Sequence, residues 1–528
     1  MVFSIGLLFS INPLFAQLTT TNLPIIKITT TTPIISSQTQ ANIAIIDNIS
    51  GVNNVNDPAT FSGMIGVDIR GSISTPKLSY NVETWQPATV SLDTSLLGMP
   101  SENDWVLLAA YTDRSLLRST LAFTTYDKMG RYAPRMKYCE LLIDGNYQGV
   151  YLFGENIKRN VERVDISKLT ISDNFGIDMT GGYIWTLDED VKNGWKSGYN
   201  PLNGTANQEI NFNYNYPSSG DITPAQKAYI KSYVDSFEIA LDGANFQDSL
   251  LGWRRFGANN AFIDMIIISE TFKDYDAYRN NFYMFKDKGT KMRPGPIWGF
   301  NNSLKNTTNC TTDLTTGFTY NIATACPNEV ALPTFWWSKL MTDAQFVKDL
   351  KCAYTNYRKV GELLDTTTIF HYMDSVSTLL NAQNAQTRNF TQWPIFGVNL
   401  INEPTPMATN YAEEIANIKS FFRARLTWLD GNWIDPTCII SAIKNNDLNN
   451  YVSVYPNPAQ QKFAIDMQLN STSAKQIEIL DMLGNVIFNN TTNKNKINID
   501  CAKWQQGIYF VKISSKEGSA TKKIVIAN

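Results

Sequence analysis

Residues 269–305, SETFKDYDAYRNNFYMFKDKGTKMRPGPIWGFNNSLK, restrict the fold of this chain more than any other stretch. An apolar helical run ends near Lys273, Asp276 follows, and Asn281 lies five residues later. From Asn281 to Lys286 apolar and polar residues alternate, as in a half-buried strand. Asp287-Lys288-Gly289 supplies a turn, and the chain returns from Lys291 to Trp298. A hairpin brings its own ends together. Asp276 is therefore expected beside the residue that follows Trp298, which is Gly299.

Strand patterns dominate between about 40 and 240. Residues 136–143 (MKYCELLI) and 148–153 (QGVYLF) read as strands joined by an Asp144-Gly145 turn, because glycine readily takes positive φ. Residues 182–187 (GYIWTL) read as another strand. Helical patterns appear at 115–128, 224–241 and 253–272, and they dominate from 333 to 433. In 413–429, Ile415, Ile418, Phe422, Leu426 and Leu429 share one face. The expectation is an α+β core with a mostly helical C-terminal part.

The two ends differ from this core. Residues 1–17, MVFSIGLLFSINPLFAQ, are uncharged and apolar and read as a secretory signal peptide. No later window is long enough to cross a bilayer. The apolar run 261–268 carries Asp264 and reads as a buried helix. A polar linker at 441–450 precedes short alternating segments with turn signals at 451–528, the pattern of a small all-β sandwich. Residues 18–440 form the main domain.

Composition narrows the function. The 528 residues carry 45 Lys+Arg against 48 Asp+Glu, so no basic excess points to nucleic acid. There is one histidine, His371, which excludes multi-histidine zinc sites and leaves any Ser-His-Asp triad dependent on that residue. His371 lies among large apolar residues and reads as structural. Six cysteines are too few for a disulfide scaffold. Cys310 and Cys326 can close one Thr/Asn-rich loop, whereas Cys139, Cys352, Cys438 and Cys501 have no legible pairing. Phe335-Trp336-Trp337 reads as core.

The C-terminal segment resembles the type A sorting domain of the Bacteroidetes type IX secretion system. The resemblance lies in Tyr455-Pro456-Asn457-Pro458, Asp481 with Gly484, Gly507-Ile508-Tyr509 and Lys522-Lys523-Ile524-Val525. It implies passage across the outer membrane, with the secretion machinery as a partner.

The order Asp276, Asn281, hairpin is also the layout of a protein-kinase catalytic loop. From about 23 to 433 the chain resembles the CotH family of atypical, secreted kinases. Matching blocks include Arg70-Gly71-Ser72 with Lys77, Asp113-Arg114-Ser115-Leu116-Leu117-Arg118, Gly130-Arg131-Tyr132-Ala133-Pro134-Arg135 and Glu155-Asn156-Ile157-Lys158-Arg159. Later blocks are Asp276-Ala277-Tyr278-Arg279, Gly295-Pro296-Ile297-Trp298 and Arg388-Asn389-Phe390. The resemblance implies a kinase-like fold and transfer of phosphate from ATP, with Mg²⁺ or Mn²⁺, to Ser or Thr of a protein. It makes Asp276 the catalytic carboxylate and Asn281 and Asn301 metal ligands. Arg70, Lys77, Arg118, Glu155, Lys158 and Arg159 are the candidates for holding the nucleotide.

One departure bears on activity. Where the family has Trp-Asp-Phe-Asn, this chain has Trp298-Gly299-Phe300-Asn301. A metal-binding carboxylate is replaced by glycine, with Asp274 a conceivable stand-in. The expectation is an impaired kinase, or alternatively an inactive pseudokinase that serves as a surface scaffold or adhesion protein.

Overall fold

The computed structural model describes residues 18–438 except 202 and 205–207, and residues 452–527 except 468–473, 483–484 and 516–517. The expected signal peptide and the 441–450 linker lie outside the described residues. The chain divides into two units, Met1–Pro436 and Thr437–Asn528.

Seven strands of the first unit close on themselves. They are β1 (Ile25–Thr30), β2 (Thr39–Ile46), β3 (Phe61–Arg70), β4 (Ser79–Gln86), β5 (Asp104–Leu108), β6 (Met136–Ile143) and β7 (Asn146–Glu155). The order is β3-β2-β1-β6-β7-β5-β4, and β4 pairs again with β3, which completes a barrel. Only β1 and β6 run parallel within it. The interior is filled by residues two apart, such as Ile26 and Ile28, Ile43 and Ile45, Trp105 and Leu107, or Tyr151 and Phe153. That spacing follows from the two-residue period of a strand, and closure leaves no open edge. Asp144 and Gly145 both take positive φ, +49° and +78°, as the tight turn between β6 and β7 requires.

The rest of the unit packs helices around a second antiparallel sheet. Its strands are β8 (Tyr183–Asp188), β9 (Trp195–Lys196), β10 (Asn211–Tyr216), β11 (Phe282–Lys286) and β12 (Arg293–Pro294), in the order β9-β10-β8-β11-β12. The return arm of the hairpin pairs over two residues only. Pro294 and Pro296 have no N–H to give a ladder.

The helices are α1 (Arg118–Lys128), α2 (Pro224–Asp242), α3 (Asn259–Phe272), α4 (Trp336–Leu340), α5 (Ala344–Tyr357), α6 (Thr366–Asn381), α7 (Ala385–Gln392) and α8 (Tyr411–Trp433). Every residue of α3 from Ala261 to Phe272 is buried, as a helix apolar on all sides must be. α1 starts three residues later than its pattern suggests. The Asp113 carboxylate accepts from the N–H groups of Ser115 and Arg118, both at 3.0 Å, and holds the entry as a capping turn. Trp336 and Trp337 are fully buried, and Trp337 packs on Tyr278 with ring centroids 4.6 Å apart. His371 is exposed on α6, which corrects its reading as a residue held among apolar neighbours.

Cys310 and Cys326 form a disulfide, and Cys139 and Cys501 are buried thiols.

The second unit is all β. Strands β13 (Val452–Tyr455), β14 (Lys462–Met467) and β17 (Lys496–Asp500) form one sheet, in the order β13-β14-β17. Strands β15 (Lys475–Leu480), β16 (Val486–Thr492), β18 (Gly507–Ser515) and β19 (Gly518–Ile526) form the other, in the order β16-β15-β18-β19. Ile465, Ile477, Ile479, Val511, Ile513 and Ile524 meet in a single core. The Asn457 side chain donates to the Lys523 carbonyl at 3.0 Å and accepts from the Val525 N–H at 2.9 Å. It therefore stands in for a strand partner, and this joins two of the motifs read from the sequence.

Glu238 of α2 accepts from the Ser197 hydroxyl at 2.7 and 2.8 Å and from the Trp336 indole at 3.0 Å. Burial pushes its carboxyl up to about 7, against the lowering effect of those two donors. Because the folded value is raised, the protonated form favours folding. That stability is complete near pH 4 and is lost as pH rises to about 7. Denaturant unfolding should show the wild type losing on the order of 1–3 kcal/mol between pH 4 and 7.5 relative to Glu238→Gln.

Candidate active site

α3 ends in a left-handed residue, Lys273, at φ +51°. The chain then turns through Asp274, Asp276 and Asn281 into β11. Asn281 is also left-handed, at φ +47°, a conformation that asparagine tolerates better than most residues. The hairpin closes as its pattern requires. Asp276 Oδ2 accepts from Asn302 Nδ2 at 2.8 Å, and Asn302 Oδ1 accepts from Asn301 Nδ2 at 3.0 Å. Asn306 Nδ2 in turn donates to the Asn301 carbonyl at 2.8 Å. Asp276 is thus clamped to the segment that follows Gly299. Its Oδ1 has only a long 3.4 Å contact, from Asn280 Nδ2.

A cavity of about 20 Å³ opens beside Asp276 and is lined by Asp274, Asp276, Asn280, Asn281, Trp298 and Phe300, among others. Asp274 is 2% exposed. Burial, then the neighbouring Asp276 charge, pushes its carboxyl well above the usual range. Asp276 is raised as well, by burial, with Asn302 and Arg279 opposing.

Trp298 also lines a cleft of about 210 Å³. Lys77, Tyr111, Thr112, Trp298, Gly299 and Asn301 are among its walls. Gly299 has φ +78°, and a Cβ there would meet nothing within 4 Å. The position therefore has room for a side chain, at the backbone cost of a left-handed conformation. Lys77 is buried, with Nζ donating to the Val150 carbonyl at 2.6 Å and to Asn389 Oδ1 at 2.9 Å. No carboxylate faces it in these bonds, and burial lowers its ammonium to about 7. Arg70 lies over the Trp298 ring at 4.9 Å and donates to Asn81 Oδ1 at 2.6 Å. Arg70, Lys77, Asp276, Asn281 and Asn301 are therefore gathered around Trp298.

The remaining candidates are not part of that group. Arg118 is 2% exposed and sits between Asp113 at 2.6 Å and Glu414 at 2.7 Å. Its Nε donates to the Ser303 carbonyl, and Nη2, which also holds Glu414, donates to the Leu304 carbonyl. It anchors the segment after Gly299 to α8 rather than presenting charge to a phosphate. Glu155 is fully buried and accepts from Arg135 at 2.9 Å and Tyr132 at 3.1 Å. Lys158 pairs with Glu102 at 2.8 Å and Asp104 at 2.5 Å. Arg159 lies over the Tyr216 ring at 5.6 Å. Each has a partner distant in sequence, which no local pattern reveals.

Sequence reasoning missed Asn302, Asn280 and Asn389. Asn302 was within reach, since the same hairpin argument that placed Gly299 extends three residues further. Asn389 lies in a matching block, but its bond to Lys77 spans 312 positions.

Residues 67–429 match the model of the CotH kinase protein family, more than half of the chain. The chain belongs to this family. Residues 453–527 match the secretion system C-terminal sorting domain. This CotH-family protein therefore leaves the cell by type IX secretion, to the surface or beyond. No described helix is long and apolar enough to cross a membrane.

Other similarities are short. Ulvan lyase NLR42 of Nonlabens ulvanivorans is 30% identical over 78 residues, 15% of this chain and 14% of that protein. PorZ, a surface component of the type IX secretion system of Porphyromonas gingivalis, aligns with 16% of this chain and 12% of its own. Its identity is 16% and its TM-score 0.14. A duf3244 family protein with an immunoglobulin-like β-sandwich from Bacteroides vulgatus aligns with 15% of this chain and 85% of its own. There the identity is 18% and the TM-score 0.13.

Replacing Arg118 by Ala strands two buried carboxylates and should cost about 3–5 kcal/mol in denaturant unfolding. A phosphate-binding role would instead weaken nucleotide binding and leave folding stability near the wild-type value.

Proposed function

We propose that this secreted CotH-family protein transfers phosphate from ATP to a serine or threonine hydroxyl of a protein, through a site weakened at Gly299. The observation that carries the reading is the clamped Asp276 carboxylate. One oxygen is fixed by Asn302, the other has one long contact, and the residue lines a cavity. A carboxylate so held can orient an incoming hydroxyl and accept its proton. ATP bound with Mg²⁺ or Mn²⁺ would supply the phosphoryl group and the charge that screens it.

The donor set fits such a cation in type. Asn301 uses its Nδ2 on Asn302, which leaves Oδ1 as the atom for a hard metal ion, and Asn281 offers a second amide oxygen. Neither carries charge, so position 299 contributes none where the family has a carboxylate. Lys77, buried in the cleft wall, and Arg70, half-buried over Trp298, both make their hydrogen bonds to neutral partners. Burial lowers the Lys77 ammonium to about 7, and an anion entering the cleft would favour its charged form.

Gly299 itself favours a second reading, a pseudokinase that keeps the fold as a surface scaffold. Purified protein should separate the two by metal-dependent phosphate transfer and ATP binding. The first reading expects slow transfer that falls about 100-fold or more in Asp276→Ala. Gly299→Asp should raise it roughly tenfold or more, since the side chain enters open space and adds a ligand charge. Binding without transfer, in the wild type and in Gly299→Asp alike, supports the scaffold. Neither binding nor transfer, unchanged in Gly299→Asp, overturns both.

A further inference from the structure

Asp274 is an expensive residue to bury. It is 2% exposed, and its Oδ1 has no hydrogen-bond partner. The N–H of Asp276 faces the same carboxylate, and the Asp276 carboxylate is close enough to repel it. Arg279 is the nearby cation, but its Nη1 is engaged by Glu329 at 3.2 Å and by the Ala331 carbonyl at 2.9 Å. Asp274 and the half-buried Asp276 share this one arginine, whose Nη2 is itself without a partner, and a single cation offsets only one of the two carboxylates.

A third oxygen shares the same shortage. Asn280 Oδ1 is buried without a partner, whereas its Nδ2 contacts Asp276 and Glu189, both at 3.4 Å. Asp274, Asp276 and Asn280 line one cavity of about 20 Å³. That volume is roughly one water or one small ion. Two carboxylates and an amide are hard oxygen ligands, the set preferred by Mg²⁺ and Mn²⁺.

We infer that a small divalent cation sits against Asp274 and Asn280, beside Asp276, and that Asp274 supplies a metal-binding charge close to the catalytic carboxylate in a chain whose position 299 has none. The cavity at Asp274 and the cleft at Gly299 share Trp298 as a wall. A dication there neutralises both carboxylates and gives the two orphaned oxygens a partner. The inference deepens the phosphotransfer reading by naming a ligand for that site, but cation binding itself does not require transfer.

The test is Mn²⁺ binding to the full-length, metal-free protein, followed by the electron paramagnetic resonance of free Mn²⁺ and by thermal unfolding. The wild type should bind one Mn²⁺ and melt at a higher temperature with it. Asp274→Asn should weaken binding at least tenfold. Without metal it should melt above the wild type, because it removes a buried carboxyl whose ionised form the site disfavours. Glu362→Gln, on the surface, should bind as the wild type does. If Asp274→Asn does not fold, Asn280→Ala provides the same comparison at a less buried position.

A wild type that binds no Mn²⁺, or an Asp274→Asn variant that binds it unchanged, overturns the inference. A cavity that holds only a shared proton gives the first of these results. Mn²⁺ binding lost in Asp274→Asn without any phosphate transfer would uphold this site and sink the kinase reading. Transfer in the wild type with metal affinity untouched in Asp274→Asn would do the reverse.

Discussion

One buried ion pair holds together the parts that present Asp276. Glu270, in the last turn of α3, and Arg425, in α8, are both fully buried and lie 3.0 Å apart. Arg425 also donates to the carbonyls of Glu270, Thr315 and Gly317. Glu270 accepts from the N–H groups of Thr319 and Tyr320 and from the Tyr278 hydroxyl. Burial lowers the guanidinium to about 10, so it stays charged at neutral pH. A pair of this kind adds little over a well-packed apolar substitute, but removal of one partner strands the other in the core. Here it binds the end of one helix, the middle of another, the loop at 315–320 and the turn that contains Asp276.

A second charged junction performs the same service on the far side of the hairpin. Arg118 joins Asp113 and Glu414 to the carbonyls of Ser303 and Leu304, immediately after the segment that clamps Asp276. Arg114 adds a third, with Glu403 at 2.6 Å. The site thus lies between two rigid anchors, one ahead of the hairpin and one behind it. Preorganisation of this kind costs no rearrangement when a ligand arrives. The deep burial of these cations reflects a structural task, and it explains why basic residues in strongly family-like blocks need not touch a phosphate.

The legible parts of the fold were those set by short-range pattern. The strand at 136–143 and its Asp144-Gly145 turn follow from alternation and from one residue type able to take positive φ. The hairpin after Asp276 follows in the same way, and so does the all-β second unit. Barrel closure was not legible. It rests on the pairing of β4 with β3, β5 with β7 and β1 with β6, and strand alternation says which face is buried but not which strand lies next to it. The same gap separates the candidate cations. Lys158 finds Asp104 across 54 positions and Arg118 finds Glu414 across 296.

Taken alone, the sequence determined that a carboxylate would meet the residues following Trp298, that position 299 would bring no charge, and that a sorting domain would follow the main one. Each is a matter of residue identity or of local chain geometry, where neighbours along the chain are also neighbours in space. Only the tertiary structure decided which charges face the cleft and which are neutralised inside the protein. It also turned Asp274 from a turn residue into a buried carboxylate with an unpartnered oxygen. Burial and charge balance depend on every element packed around a residue, and those elements come from all parts of the chain.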